Sequence, residues 1–243
     1  MSAPLKIRYP LLLVIFTLFM SVSCGEPIRE VVTEQYKNGN RKLVVLYKGE
    51  GFDEMVVGKI RYYQNGQKKF QERFEDGIKT GLSTYWYENG QKKGEGKYVK
   101  GKMNGMWTFY RDNGRVFGKG SYNYGDGSNI ASFTRIPKNN RTGEWIFYKD
   151  DGNIRYKGIW RNGQLDVMDL YVNGKLFLEE LFHNGKLSDL KIWRKNGESI
   201  LVSIKGDEVK MIDIDGTVIQ LQGSEMLELL KTTKFFEQNF QLY

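Results

Sequence analysis

The strongest constraint on this chain is that it repeats itself at a fixed period. Asn65-Gly66, Asn89-Gly90 and Asn113-Gly114 recur at a period of 24. Tyr62, Trp86 and Tyr110 keep that spacing upstream of them. Phe74, Tyr98 and Tyr122 keep it downstream, each followed by a glycine (Gly77, Gly101, Gly125). A fourth copy follows at a longer step, where Gly143, Trp145, Phe147, Tyr148 and Gly152 answer to Gly105, Trp107, Phe109, Tyr110 and Gly114. The excess of that step over the period marks an insertion near 126–139, and the register resumes after it.

Turn sites within a unit alternate between spacings of 11 (Gly66 to Gly77) and 13 (Gly77 to Gly90). The runs between them carry Tyr, Trp, Phe and Thr, which suit half-buried strands. Asn-Gly predicts a type I′ hairpin turn, with positive φ at both central positions. Twenty-eight glycines against four prolines, with 15 Tyr, 14 Phe and 5 Trp, agree with that reading. After Gly152 the spacing shortens to 11 (Gly163, Gly174, Gly185) and then 12 (Gly197); upstream, Tyr36-Lys-Asn-Gly39 is a degenerate first copy. The expectation is an all-β fold, an elongated antiparallel meander of hairpins over residues 34–197. Each hairpin leans on its neighbours through cross-strand ring pairs contributing roughly 0.2–1 kcal/mol each. Residues 198–243 supply a terminal hairpin and a short C-terminal α-helix cap, Glu225 to Asn239. There Ser224 is the N-cap, and the spacing of Met226, Leu227, Leu230 and Lys231 gives one apolar side that Phe235, Phe236 and Phe240 extend.

The N-terminus is a different kind of segment. Met1 to Tyr9 carries Lys6 and Arg8, Leu11 to Met20 is apolar, and Ser21-Val22-Ser23-Cys24 is small. That order is the layout of a secretory signal peptide over 1–23. The uncharged stretch from Tyr9 to Gly25 only just reaches the lower limit for a membrane-spanning helix, about 17 residues. Cys24 decides between leader and anchor. It is the chain's single cysteine, so no internal disulfide exists, and it directly follows the small residues of the cleavage zone. Residues 24–33 then form a linker.

Two resemblances follow from these residues. Val22-Ser23-Cys24 resembles the lipobox of bacterial lipoproteins, which implies a diacylglycerol thioether on Cys24, an acylated amine and a membrane lipid anchor at the bacterial cell envelope. The string Gly101-Lys-Met-Asn-Gly105-Met-Trp107-Thr-Phe109-Tyr110, with Asn113-Gly114 following, resembles the MORN repeat. More narrowly it resembles the bacterial variant in the YwqK-type antitoxin-like family. That resemblance covers about residues 34–197 and implies a single sheet with aromatic and glycine columns along its length.

The sequence offers no catalytic constellation. The one histidine, His183, occupies a turn slot, and neither a second His nor a free Cys stands with it. Acid pairs at Glu179/Glu180, Asp150/Asp151 and Asp213/Asp215 read as turn or surface groups. The glycines follow strands, so no phosphate-cradling loop is present. Net charge is +8, or +6 without Lys6 and Arg8, and is interspersed with acids. An exported basic chain does not meet nucleic acid. Two features remain for recognition. The aromatic columns (Tyr62, Trp86, Tyr110, Tyr148, and beside them Tyr85, Phe109, Phe147) are either the sheet's own core or a binding face. The insertion, with Phe133 and Ile136, is either a binding loop or a tolerated insertion. The function expected is a non-enzymatic, lipid-anchored interaction module that needs no cofactor or metal, with a protein or envelope polymer as partner. The alternative, from the family resemblance, is an antitoxin-like or immunity protein that neutralises a toxic partner.

Overall fold

The computed structural model describes residues 27–131, 135–184, 186–193, 197–205, 208–212 and 216–222. Cys24, Phe133, the Asp213/Asp215 pair and the segment expected to form the C-terminal helix lie outside them. Among the described residues the chain is all-β, a single antiparallel sheet with one short 3-10 turn at Gly51–Asp53. Its strands are β1 (Ile28–Gln35), β2 (Arg41–Lys48), β3 (Met55–Tyr62), β4 (Lys68–Glu75), β5 (Ile78–Trp86), β6 (Lys92–Val99), β7 (Lys102–Tyr110) and β8 (Val116–Gly125). They continue with β9 (Arg141–Tyr148), β10 (Ile154–Arg161), β11 (Gln164–Val172), β12 (Lys175–His183), β13 (Lys186–Trp193), β14 (Ser199–Lys205), β15 (Glu208–Ile212) and β16 (Val218–Gln222). All 16 lie in sequence order, each pairing only with the one before and the one after.

The two turn sites of a unit are built differently. Asp76-Gly77 and Lys100-Gly101 have positive φ at both positions, as do Asn162-Gly163 and Asn173-Gly174, and they close two-residue hairpins of the expected kind. The Asn-Gly sites of the regular copies do not follow the type I′ expectation. At Asn65-Gly66 and Asn89-Gly90 only the glycine is left-handed. Gly66 N donates to Tyr63 O and Tyr63 N to Gln67 O, a three-residue loop ending in a glycine bulge. Asparagine serves there through its side chain. Asn65 Oδ1 accepts from Gln67 N at 3.0 Å, and its Nδ2 donates to Glu88 O of the next hairpin at 2.7 Å. Asn89 repeats both bonds with Gln91 N and Asp112 O.

A lone sheet must still bury an apolar face. Trp107, Trp145, Phe147, Tyr122, Met103, Ile136 and Trp160 form one buried cluster, with Tyr85, Tyr98, Phe109 and Tyr156 packed against it. Glycine on the neighbouring strand makes room for Trp107 and for Trp145. A Cβ at Gly96 would stand 2.2 Å from the Trp107 ring, and one at Gly120 would stand 2.2 Å from Trp145. Each indole lies flat across the preceding strand and donates its Nε1 proton to that strand, Trp107 to Lys97 O at 3.2 Å and Trp145 to Ser121 O at 3.0 Å. The indole therefore buries its apolar area and satisfies its one donor in the same pose.

The insertion supplies part of the missing second layer. Ile130 bridges Pro137, and Ile136 is buried against the aromatic cluster. Arg141, 4% exposed, holds the loop by donating Nε to Pro137 O at 2.9 Å and a second nitrogen to Ile136 O at 3.2 Å. Its guanidinium lies 4.5 Å from the centroid of Trp145 and 5.3 Å from that of Trp160. Cation–π contact and carbonyl acceptors thus carry a buried charge. Further along, the core is mainly aliphatic, with Leu178, Leu190, Ile192 and Val202 packed beside Phe177.

Candidate functional site

Where the insertion ends, the aromatic face stays open. A groove of ≈ 220 Å³ runs across β4 to β8, walled by Tyr63, Phe70, Tyr85, Tyr87, Phe109 and Phe117. Gly94 lies among these rings, Ile136 and Arg135 of the insertion close one end, and Lys69 and Lys93 stand on the rim. Mostly aromatic walls with a few polar groups are the usual makeup of a ligand site.

Its walls are held still. Tyr63 Oη donates to Trp86 O and Tyr87 Oη to Tyr110 O, both at 2.9 Å, while Tyr36 makes the same bond to Tyr62 O one hairpin earlier. Each tyrosine of a hairpin end is thereby pinned to the next hairpin. Burial raises the Tyr63 and Tyr87 hydroxyls above their ordinary pKa, and the nearby turn carboxylates of Glu88 and Asp112 add to the effect.

Below Tyr85 lies a buried polar network. Glu72, 8% exposed, accepts from Lys79 Nζ at 2.7 Å and from Tyr85 Oη at 2.8 Å, and Tyr98 Oη is 3.3 Å from Tyr85 Oη. Burial drives the Tyr85 hydroxyl far above its ordinary range. It therefore keeps its proton and acts as a donor to Glu72, which fixes the ring. This arrangement orients a wall of the groove.

The sequence-selected residues fall as follows. Trp86 and Tyr110 border the groove at the ends of β5 and β7, whereas Tyr62 and Tyr148 are not among its lining residues. Successive side chains of a strand alternate in direction, so Trp86, Tyr110 and Tyr148 head the face opposite Tyr85, Phe109 and Phe147. There Lys68 lies over Trp86, Lys119 over Tyr148, and Tyr110 Oη donates to Glu95 at 2.7 Å. Burial is the first cause pushing Tyr110 up to about 12, and that bond to Glu95 follows. His183 is the exposed last residue of β12. Among the described residues no group of three His, Cys, Asp or Glu stands close enough to hold a metal ion. Tyr63 and Tyr87 are wall residues that the sequence reading missed. Their signal was the recurrence of a second aromatic ring directly after Tyr62 and Trp86.

No family model matches the sequence, and no curated protein matches it. Among solved structures, a GtfA/B complex bound to UDP and GlcNAc is similar at 11% identity over 56% of this chain and 25% of that one, with a TM-score of 0.21. A second GtfA/B complex gives 13% identity over 54% and 20%, with a TM-score of 0.24. An S. aureus TarM variant in complex with fondaparinux gives 11% identity over 62% and 21%, with a TM-score of 0.16. The chain spans a quarter or less of the length of these proteins. Superpositions this loose bear on neither function nor ancestry.

Proposed function

We propose that this chain is a lipid-anchored, exported binding module of the bacterial cell envelope that holds its partner without transforming it. The observation that carries the reading is the open aromatic groove, whose tyrosines are pinned by backbone bonds and whose rim is cationic. A preorganised wall lowers the entropy lost on binding. Tethering through Cys24, after removal of residues 1–23, places the groove at a membrane surface. Two acyl signals suffice to hold a protein there. In this reading residues 225–239 cap the open end of a MORN-like sheet.

The test has two arms. Replacing Cys24 with serine moves the protein from the detergent phase to the aqueous phase, and a variant that stays in detergent overturns the anchor. Immobilised acylated protein retains an envelope component that Phe70→Ala loses while its unfolding midpoint shows the sheet intact. Equal retention by Phe70→Ala overturns the groove as the binding surface.

A further inference from the structure

Three successive hairpins carry the same pairing of a cation with a ring. Lys69 lies 5.3 Å from the Tyr63 centroid, Lys93 lies 5.6 Å from Tyr87, and Arg111 lies 4.4 Å from Phe117. The positions keep the period of the repeat, and in the third copy the two residue types have changed places while the pair persists. Equivalent groups of successive hairpins are two strands apart, which sets them ~10 Å from one another. Arg111 is ion-paired to Asp150, Nε to Oδ1 at 2.7 Å. Lys69, Lys93 and Arg135 have no carboxylate within ion-pair reach among the described residues, and no Asp or Glu lines the groove.

We infer that the groove takes an anionic polysaccharide bearing one negative group per disaccharide, a deepening that rests on the binding-module reading above. Rings offer flat apolar surfaces to the C–H faces of pyranoses, and the cations recur at about the length of an extended disaccharide. An acidic peptide fits less well on two counts. Its same-side residues recur at roughly 6.6 Å, out of step with a ladder of ~10 Å. Strands β4 to β8 are paired on both sides, so the groove offers no backbone edge for an added strand.

The experiment titrates a hexasaccharide of alternating glucuronate and N-acetylglucosamine into the acylated full-length chain in detergent, beside uncharged chitohexaose and a polyglutamate peptide. The expected result is binding that weakens as salt screens the charges. Lys69→Gln and Lys93→Gln each weaken it about two- to fivefold, and Lys97→Gln, whose exposed side chain is outside the groove, leaves it unchanged. No binding of the charged hexasaccharide, equally tight binding of chitohexaose or of polyglutamate, or full affinity in the Lys69→Gln/Lys93→Gln pair overturns the proposal. If the hexasaccharide fails while Phe70-dependent envelope retention persists, the glycan assignment falls and the binding module stands. If both fail, both readings fall.

Discussion

The Tyr87 hydroxyl donates to the Tyr110 carbonyl at 2.9 Å, so the end of one hairpin is fixed by a side chain of the hairpin before it. Tyr87→Phe keeps the ring and deletes that bond, and the expected cost is about 1 kcal/mol. Tyr63→Phe deletes the equivalent bond to Trp86 O. The two sites are ~10 Å apart by strand spacing. In an array whose units touch only their neighbours, the double variant should lose the sum of the single losses to within about 0.5 kcal/mol. Urea unfolding midpoints of the three variants check this. A double variant no worse than either single would show that the bonds act as one unit.

Glycine in the strands is the second device, and its role is spatial. Gly96→Ala drives a methyl to 2.2 Å from the Trp107 ring, whereas Gly94→Ala meets Phe109 at 3.2 Å. Overpacking of the first kind costs about 1–3 kcal/mol. The second change should be near neutral, because a slight shift of Phe109 is offset by about 0.4–1 kcal/mol of lost unfolded-state freedom. Gly120→Ala, which meets Trp145 at 2.2 Å, should match Gly96→Ala. Thermal unfolding of the three variants tests the order. Equal losses at Gly94 and Gly96 would sink the explanation by ring contact.

These two devices show what the sequence could disclose. The period of Asn65, Asn89 and Asn113 was enough to place the hairpins, because each turn recurs where the chain must reverse. The same Asn-Gly letters predict type I′ turns, yet φ is not positive at Asn65, which works through its side chain. Dipeptide identity does not reveal whether a loop has two residues or three. The aromatic columns were legible too, and side-chain alternation divides Tyr85, Phe109 and Phe147 from Trp86, Tyr110 and Tyr148. The register shifts at Arg61/Tyr62 and Tyr85/Trp86 leave the extra residue on the partner strand, at Lys69 and Lys93, and a bulge there leaves no mark on residue spacing. The side taken by those two lysines was therefore hidden, and the groove that Tyr63 and Tyr87 wall depends on the fold of an insertion that has no counterpart in the repeat.

Arg141 ties that insertion to the sheet, and its charge is buried with carbonyls and rings in place of a carboxylate. Burial lowers its pKa. Arg141→Lys keeps the charge but loses the flat stacking surface and the fork that reaches both Pro137 O and Ile136 O. About 2–3 kcal/mol of local stability should go with it, since lost bonds to a charged donor are each worth about 1.5–3 kcal/mol. Amide hydrogen exchange at Arg135, Ile136 and Lys138 should speed up while β12 to β14 stay protected. Unchanged exchange there would show that Ile136 packing alone holds the loop.

A like-charge pair gives the clearest pH dependence. Asp169 of β11 faces Glu179 of β12 directly, with Lys157 opposite Asp169 on one side and Lys191 opposite Glu179 on the other. Burial first, then Glu179, raises the Asp169 pKa above its ordinary 3.8. The folded state therefore binds a proton that the unfolded chain has already released, and stability falls as pH rises through the folded pKa. Glu180, raised by burial, contributes with the same sign. Asp169→Asn removes the Asp169 part alone. It should raise the unfolding temperature at pH 7 and leave it nearly unchanged at pH 3, where the wild-type carboxyl is already protonated. Unfolding temperatures of both proteins from pH 3 to 7 should diverge as pH increases, and parallel curves would show that the flanking lysines already neutralise the pair.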